Sequence, residues 1–296
     1  MRILITGSKG QLGTELQRIL SAGTADIGPI PEAYRDAVVF ATDVDTLDIL
    51  DAEAVEAMVA ETQPELIINC AAYTNVDACE SHPDLAMRLN AEGAGILATA
   101  AQRQGATLVH VSTDYVFSGV DPRPRVEGDV PDPQSVYGKT KLAGEQLVAE
   151  ASSKCHIVRT AWLYGLVGNN FVKTILGLAR EKNSITVVDD QCGNPTNAND
   201  LAYEILRIAQ STAYGIWHCT NEGTCSWFDF ASAIVDLAGV PCEKLPCTTE
   251  EFPRPAPRPR YSSLENARLE AMLGNEMRPW RDALKSYLEQ LSLEQQ

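Results

Sequence analysis

Short apolar runs alternate with longer helical stretches through the first half of the chain, and this alternation most constrains the fold. Residues 2–6, 38–42, 65–72, 107–113 and 156–162 form apolar runs of the length expected for buried strands. Strands that alternate with helices need crossover connections, which give a parallel sheet with helices on both faces. The first half therefore predicts an α/β fold built on a doubly wound parallel sheet.

The second half of the chain has a coarser pattern, in which helical stretches alternate with fewer apolar runs. The segment PRPAPRPR (253–260) cannot be a helix or a central strand, and we expect it to run across a packed surface. We predict a larger domain over residues 1–165, completed by later returning segments, and a smaller part over about 166–296. Its helical stretches lie near 171–180, 198–208, 226–237, 265–273 and 280–291, with Ser226 as a candidate cap, and its apolar runs at 184–188 and 215–220. In the first half, helical patterns cover residues 11–22, 84–104 and 135–152.

A glycine turn joins the first predicted strand to the first predicted helix. The strand RILIT leads into Gly7, Gly10 and Gly13 with the spacing G-x-x-G-x-x-G, and a helical pattern follows at once. Glycines there let the backbone approach a pyrophosphate, whose charge then faces the free N–H groups of the helix N-terminus. Because the motif stands at the first strand, it favours a Rossmann-like dinucleotide-binding fold over a plain strand–turn–helix corner.

Charge and cysteine usage exclude several classes of protein. The chain of 296 residues has a net charge of −16, which argues against nucleic acid or an anionic membrane as a partner. No apolar run is long enough to span a membrane, and from the residues that follow Met1 we expect no signal peptide. The eight cysteines form no C-x-x-C pair and the four histidines are scattered, so we expect free thiols rather than a metal site. A cytoplasmic protein is therefore predicted.

A tyrosine and a lysine, Tyr137 and Lys141, stand four residues apart in a helical stretch, so their side chains share one face. A neighbouring ammonium lowers the pKa of a phenol, which makes the tyrosine a usable proton donor. Ser112 and Thr113 end the fourth apolar run, at the edge of a parallel sheet where ligands bind. A hydroxyl there can hydrogen-bond a substrate carbonyl oxygen.

These features together resemble the extended short-chain dehydrogenase/reductase family. Longer strings narrow the resemblance to its dTDP-4-dehydrorhamnose reductase branch, and they follow one another in that family's order along nearly the whole chain. The strings are GQLGTELQ (10–17), NCAAYTNVDACE (69–80), STDYVF (112–117), VYGKTKLAGE (136–145), RTAWLYG (159–165), NNF (169–171), GNPT (193–196), RPRYSSLENARL (258–269) and RPWRDALKSYL (278–288).

The resemblance implies an NADPH- or NADH-dependent reductase of dTDP-rhamnose biosynthesis, for cell-wall polysaccharide, that reduces the 4-keto group of dTDP-4-dehydrorhamnose. Thr113 would polarise the sugar ketone, Tyr137 would protonate its oxygen, and Lys141 would hold the nicotinamide ribose and lower the pKa of the tyrosine. The N-terminal domain would bind NAD(P) and the C-terminal part the sugar nucleotide. Besides Tyr137 and Lys141, the implied cofactor contacts are Gly7, Gly10, Gln11, Leu12 and Gly13 at the pyrophosphate, Asp48 and Ile49 near the adenosine, and Ala71, Ala72 and Thr74 along the cofactor.

Further residues concern the adenosine end of the cofactor and the binding of the substrate. Residues 24–37 are extra length before the second strand, on the adenosine side of the match. Asp43 ends that strand, where an acid can bind the ribose 2′-hydroxyl of NADH and repel the 2′-phosphate of NADPH, so NADH is favoured. The implied substrate contacts are Val76, Thr113, Tyr115 and Trp162 around the sugar, with Asn169, Arg258 and Ser263 toward the nucleotide diphosphate.

Some members of the family dimerise around a divalent cation held by glutamates. Glu15 fits that pattern, but Asn199 stands where a further acid is expected, so a bridging cation is not favoured. We expect a monomer or a homodimer.

Two other functions remain open. A sister reductase acting on another dTDP-4-keto-6-deoxy sugar would carry the same cofactor and proton-transfer motifs, because the choice of sugar depends on pocket shape. A non-catalytic NADP-binding regulatory subunit of the same fold is the second alternative. Loss of Tyr137 or Lys141 would favour it, and both residues are present.

Overall fold

A computed structural model of the protein describes residues 1–294 and shows an α/β fold. The strands are β1 Arg2–Thr6, β2 Val38–Thr42, β3 Leu66–Asn69, β4 Thr107–Thr113, β5 Cys155–Thr160, β6 Leu163–Tyr164, β7 Ser184–Val188, β8 Cys192–Gly193, β9 Thr196–Asn197, β10 Gly215–His218, β11 Cys225–Ser226 and β12 Glu243–Cys247. The α-helices are α1 Gln11–Ala22, α2 Ala52–Thr62, α3 Val76–Ser81, α4 Pro83–Met87, α5 Gly93–Gln104, α6 Val136–Ala151, α7 Phe171–Glu181, α8 Ala198–Ile208, α9 Trp227–Leu237, α10 Ala267–Leu273 and α11 Trp280–Glu294.

The main sheet has six parallel strands in the order β10-β5-β4-β3-β1-β2. The chain runs outward from β1 to β2 and then returns to add β3 on the other side of β1. Such a change of direction opens a crevice at the carboxyl ends of the two inner strands, which is where open α/β sheets bind ligands. The predicted parallel sheet is confirmed.

Alternating side chains of the sheet enter two separate hydrophobic clusters. Ile3 and Ile5 of β1 pack in one cluster with α1 and α8, and Leu4 packs in the other with α2 and α5. All three side chains are fully buried. Because helices cover both faces, β1 and β3 carry apolar residues at successive positions instead of alternating with polar ones.

A third hydrophobic cluster joins α7, α9 and α11 with the small parallel pair β7 and β12. Not all of the second half belongs to it. Helix α8 packs on α1, and β10 completes the edge of the main sheet beside β5. The division into two domains near residue 165 stays a prediction.

Most predicted elements are present, and the differences have local causes. Strands β3 and β5 end earlier than the apolar runs 65–72 and 156–162, because the chain leaves the sheet there to line a cleft. The predicted helix over 84–104 is divided by a π-helical turn at Arg88–Glu92. Residues 253–260 form neither helix nor strand, as predicted. Within residues 1–294, no helix is both long and apolar enough to cross a membrane.

Candidate active site

A cleft of about 890 Å³ opens at the carboxyl ends of β1, β3, β4 and β5, at the point where the strand order changes direction. The structure brings to it every residue proposed above for catalysis or cofactor binding. They are Gly7, Gly10, Gln11, Leu12, Gly13, Asp48, Ile49, Ala71, Ala72, Thr74, Thr113, Tyr137 and Lys141.

The glycine turn forms one wall of the cleft and leaves no room for side chains. Gly7 has a φ of +66°, and a Cβ atom there would lie 2.7 Å from the backbone nitrogen of Ala71. A Cβ atom on Gly13 would overlap the carbonyl oxygen of Gly7. Helix α1 begins after Gly10 with no side-chain cap and no acidic residue in its first turn. Its N-terminal N–H groups therefore face the cleft without a competing anion, which fits the pyrophosphate of a dinucleotide.

Thr113 and Tyr137 meet at the centre of the cleft. Thr113 ends β4, donates a hydrogen bond to Asp114 Oδ1 over 2.9 Å and accepts one from the backbone N–H of Tyr115 over 3.2 Å. Tyr137 lies in the first turn of α6, where its ring meets that of Tyr115 edge-on at 5.5 Å. Burial raises the pKa of Tyr137, and a hydrogen bond with Thr113 opposes that rise. The phenol is therefore protonated at neutral pH.

Lys141 lies one turn further along α6, fully buried. Its Nζ donates to the carbonyl oxygen of Val111 over 2.6 Å. Burial lowers the pKa of Lys141 to about 8, and the nearby carboxylate of Glu145 opposes this. The ammonium form still dominates at pH 7. The net shift of the Tyr137 pKa in the structure is upward, with burial as its largest cause. That Lys141 lowers this pKa during the reaction stays a prediction.

A buried ion pair that the sequence analysis missed lies behind Lys141. Glu145 Oε1 accepts from Arg159 Nε over 2.8 Å and from Ser112 Oγ over 2.6 Å, and Glu145 Oε2 accepts from Arg159 Nη2 over 2.6 Å. Both charged side chains are almost completely inaccessible to solvent. The one available signal was the four-residue spacing from Lys141 to Glu145, which places both on one helix face.

The opposite end of the cleft carries acidic side chains. Asp43 Oδ2 accepts from the backbone N–H of Lys9 over 2.9 Å, and Asp43 Oδ1 accepts from that of Val44 over 2.9 Å. The ammonium group of Lys9 pairs with Asp45. Asp43 thus stands at the cleft as an acid at the end of β2. A preference for NADH stays a prediction.

The predicted sugar-binding residues divide into two groups. Val76, Tyr115, Trp162 and Asn169 line the cleft, together with Thr113. The other group, Arg258 and Ser263, lies outside the lining.

Arg258 instead forms an ion pair, with its Nη2 at 2.9 Å from Asp77 Oδ1. Asp77 also accepts a hydrogen bond from the backbone N–H of Ala256 over 3.2 Å, so it holds the proline-arginine segment beside the cleft. Ser263 shares a hydrogen bond of 2.6 Å with Thr224.

Trp227 lines the cleft and was not predicted from the sequence. Its indole stacks face to face on that of Trp162, with ring centroids 3.5 Å apart and an angle of 6° between the planes. Ser226, which the sequence identified as a helix cap, places Trp227 at the start of α9. The sequence pattern could not predict that the Trp162 and Trp227 rings stack, because the two residues lie in distant segments of the chain.

Glu15, the candidate ligand of a bridging cation, has hydrogen-bond partners within its own chain. Its carboxylate is buried, and Oε2 accepts hydrogen bonds from Arg18 Nε over 2.8 Å and from Asn199 Nδ2 over 3.0 Å. That no divalent cation bridges two subunits stays a prediction. Among residues 1–294, no group of three or more His, Cys, Asp or Glu side chains could hold a metal ion.

Both the sequence and the structure are similar to those of known proteins. Residues 1–293 match the family model described as RmlD substrate binding domain. The structure is similar to that of a dTDP-4-dehydrorhamnose reductase from Clostridium acetobutylicum ATCC 824, with a TM-score of 0.93 and 48% identity, covering 99% of this chain and 100% of that one.

Two further relatives bear on cofactor and substrate. The dTDP-4-dehydrorhamnose reductase of Bacillus anthracis str. Ames, solved in complex with NADP, has a TM-score of 0.92 and 42% identity, covering 98% of this chain and 99% of that one. A Streptomyces antibioticus protein named probable dTDP-4,6-dihydroxy-2-methyloxan-3-one 4-ketoreductase is 40% identical, covering 96% of this chain and 94% of that one.

Proposed function

This chain belongs to the family described as RmlD substrate binding domain, and from that premise we propose that it reduces dTDP-4-dehydrorhamnose to dTDP-L-rhamnose with NADPH or NADH. The observation that carries the proposal is the meeting of Thr113, Tyr137 and Lys141 in one cleft with an uncapped helix N-terminus. A proton donor beside an anion-binding turn suits the reduction of a ketone on a nucleotide-linked sugar.

Different residues would bind the cofactor, donate the proton and stabilise the phenolate. Gly7, Gly10 and Gly13 would hold the pyrophosphate of the cofactor against the N-terminus of α1, and the bound reduced nicotinamide supplies a hydride. Tyr137 donates its proton to the ketone oxygen, since the raised pKa keeps the phenol protonated until it is used. The ammonium of Lys141 then stabilises the phenolate that remains.

Thr113 has to change its hydrogen-bond partner for this role. Its hydroxyl proton points to Asp114 Oδ1 in the structure, so polarising the ketone requires that proton to turn toward the substrate oxygen. Burial raises the pKa of Asp114 to about 6, which leaves it mainly ionised at neutral pH. Its carboxylate can therefore accept the hydrogen bond of Thr113 again once the substrate has left.

A direct assay tests the proposal. Purified protein is mixed with dTDP-4-dehydrorhamnose, and the loss of absorbance is followed with NADPH and with NADH in parallel, with the product identified by mass spectrometry and NMR. We expect oxidation of at least one cofactor and formation of dTDP-L-rhamnose. Cofactor binding without turnover would contradict the proposal. The parallel reactions also decide the cofactor preference.

Tyr137→Phe is the matched control for this assay, and its effect is the first testable prediction. The substitution removes one hydroxyl and keeps the ring, so turnover should fall at least about a hundredfold, the scale of general acid catalysis. The dissociation constant for NADP⁺, measured by fluorescence titration, should change by less than about threefold, about 0.6 kcal/mol. A fully active variant would eliminate the role assigned to Tyr137.

A sister reductase of another dTDP-4-keto-6-deoxy sugar is the second candidate. The Streptomyces antibioticus relative favours it, because a protein 40% identical to this chain bears the name of a different ketoreductase. Comparison of kcat/KM across a panel of dTDP-4-keto-6-deoxy sugars separates the two functions. A non-catalytic NADP-binding subunit is disfavoured because both proton-transfer residues line the cleft.

We further propose that residues 1–165, with α8 and β10, bind the cofactor and that about 166–296 mainly bind the sugar nucleotide.

We propose that the protein is a monomer or a homodimer, and sedimentation measures this oligomeric state directly. All eight cysteines are free thiols in the structure, the form kept in a reducing compartment, which supports a cytoplasmic location.

A further inference from the structure

Trp162, at the sugar end of the cleft, has a backbone conformation that large side chains seldom adopt. Its φ is +46°, in the left-handed region that normally suits glycine. Large residues persist there only where their surroundings enforce the conformation, and such positions cluster at ligand sites. The residues that contact Trp162 must therefore hold its backbone and its indole in this conformation.

Two of these contacts fix the backbone and one face of the ring. The carbonyl oxygen of Trp162 accepts a hydrogen bond from the backbone N–H of Thr196 over 3.2 Å, and the next residues form β6, which pairs with β9. The indole lies against Gly193 of β8. A Cβ atom on Gly193 would be 2.6 Å from Cε2 of Trp162, so only glycine leaves the space that this ring occupies.

Trp227 covers the other face of the Trp162 indole in the parallel stack described above. Trp227 is itself held firmly. It is the first residue of α9, fixed by a capping box in which Ser226 and Asp229 exchange side-chain and backbone hydrogen bonds. The ring of Phe171 contacts it with centroids 4.4 Å apart. The indole of Trp162 is thus held between a glycine and a rigidly mounted tryptophan.

We propose that Trp227 is a positioning residue that sets the orientation of the Trp162 indole and thereby the affinity of the cleft for the sugar of its nucleotide substrate. This inference rests on the proposed function, because it assumes that the ligand is a dTDP-sugar. Aromatic rings pack against the C–H faces of pyranose rings. The indole of Trp162 cannot tilt away from such a sugar without breaking its stack with Trp227. Because the proposal assigns the stack to the sugar, the affinity for dTDP alone should not depend on it.

Three variants test the inference by different physical routes. Trp227→Ala removes the stacked ring, Trp227→Phe keeps an aromatic face, and Gly193→Ala leaves both indoles but pushes against the one on Trp162. Dissociation constants are measured by calorimetry for dTDP-L-rhamnose and for dTDP alone. A far-ultraviolet circular-dichroism couplet between the two indoles reports the stack independently of any ligand.

Trp227→Ala and Gly193→Ala should each weaken the binding of dTDP-L-rhamnose about tenfold, the scale of one aromatic contact, and leave that of dTDP unchanged. They should also raise the KM for the keto sugar more than they lower kcat. The couplet should disappear in Trp227→Ala and change in Gly193→Ala. Trp227→Phe should keep most of the sugar affinity while losing the couplet. Trp280→Phe, which alters a tryptophan outside the cleft lining, is the matched control for the optical signal and should leave both affinities unchanged.

The inference is overturned if Trp227→Ala and Gly193→Ala bind the two ligands with the wild-type ratio of affinities, or lose affinity for dTDP and dTDP-L-rhamnose equally. It is also overturned if Trp227→Phe is as weak as Trp227→Ala, since an aromatic face would then be irrelevant. Failure of the proposed function gives a different pattern. The wild-type protein would not oxidise either cofactor, while the sugar-specific loss of affinity in the two alanine variants would remain.

Discussion

Lys141 and the ion pair behind it show how single buried residues set the chemistry of the cleft. Lys141 contacts a carbonyl oxygen and lies near the carboxylate of Glu145, which in turn holds Arg159 and Ser112. The sequence could identify Tyr137 and Lys141 because their spacing on one helix has a chemical meaning. It could not identify Arg159, because β5 and α6 bring it to Glu145 only in the folded chain.

Lys141 predicts a specific pH dependence. Its pKa of about 8 lies below the ordinary value of 10.5, so the ammonium is lost as the pH rises through about 8 and kcat/KM should fall there. Stability should change in the opposite sense. Between about 8 and 10.5 the unfolded chain binds the proton more tightly than the folded chain, so this residue's contribution to the free energy of unfolding rises with pH.

A kcat/KM profile from pH 6 to 10, run beside urea unfolding at the same pH values, checks the prediction. Lys141→Arg is the control, because a guanidinium stays protonated and whatever activity remains should lack the alkaline decline. A decline unchanged in that variant would assign it to another group.

Glu145→Gln should be strongly destabilising. The substitution removes the charge that compensates buried Arg159, and breaking such a pair from one side costs about 3–5 kcal/mol. Replacing both residues at once, with Glu145→Gln and Arg159→Met, should cost less than Glu145→Gln alone. Urea unfolding of the two variants measures the difference, and equal losses would mean that the pair is not coupled.

At the scale of elements, the junction of β1 and α1 determines whether a dinucleotide can be held. Gly13→Ala should lower the free energy of unfolding by about 1–3 kcal/mol, because its Cβ atom overlaps the Gly7 carbonyl and separates the helix from the turn. Affinity for NADP⁺ should fall with it. Gly177→Ala in α7 is the matched control, since no atom lies within 4 Å of the new Cβ and alanine should stabilise the helix by about 1 kcal/mol. Thermal melts and cofactor titrations of both variants check this. Equal effects at the two sites would contradict it.

The elements most accurately predicted were those with caps and uninterrupted patterns. Helix α6 begins after Ser135, which caps Gly138, and α9 begins after Ser226, as the sequence indicated. Helix α2 and strand β12 were not predicted. The π-helical turn before α5 was not foreseen. It packs tightly on α6, where a Cβ atom on Gly144 would overlap the carbonyl oxygen of Asn90.

At the scale of the whole molecule, the net charge opposes anionic ligands, and only local donors attract them. Raising the ionic strength from about 10 mM to about 150 mM should therefore raise the association rate of NADPH, about two- to fivefold, by screening the repulsion. Stopped-flow quenching of tryptophan fluorescence measures this rate. A rate that falls with salt would indicate a positive potential at the cleft mouth strong enough to outweigh the rest of the surface.

The α/β fold, the parallel sheet and the family were all recovered from sequence, because strand–helix alternation and motif order extend along the whole chain. The return of later segments to the sheet was anticipated only in general terms. The sequence did not identify β10 as the edge strand beside β5. Its four residues, Gly215–His218, are too few for a hydrophobic pattern that would indicate the neighbouring strand.

The late arrival of β10 has a consequence for how the protein is made. A ribosome releases β1 to β5 long before it releases Gly215–His218, and until then β5 is an uncovered edge of a growing sheet. An exposed, apolar edge strand is a template for pairing with another chain. Nascent chains halted between β5 and β10 should therefore depend on chaperones and aggregate without them, whereas chains halted after β10 should remain dispersed.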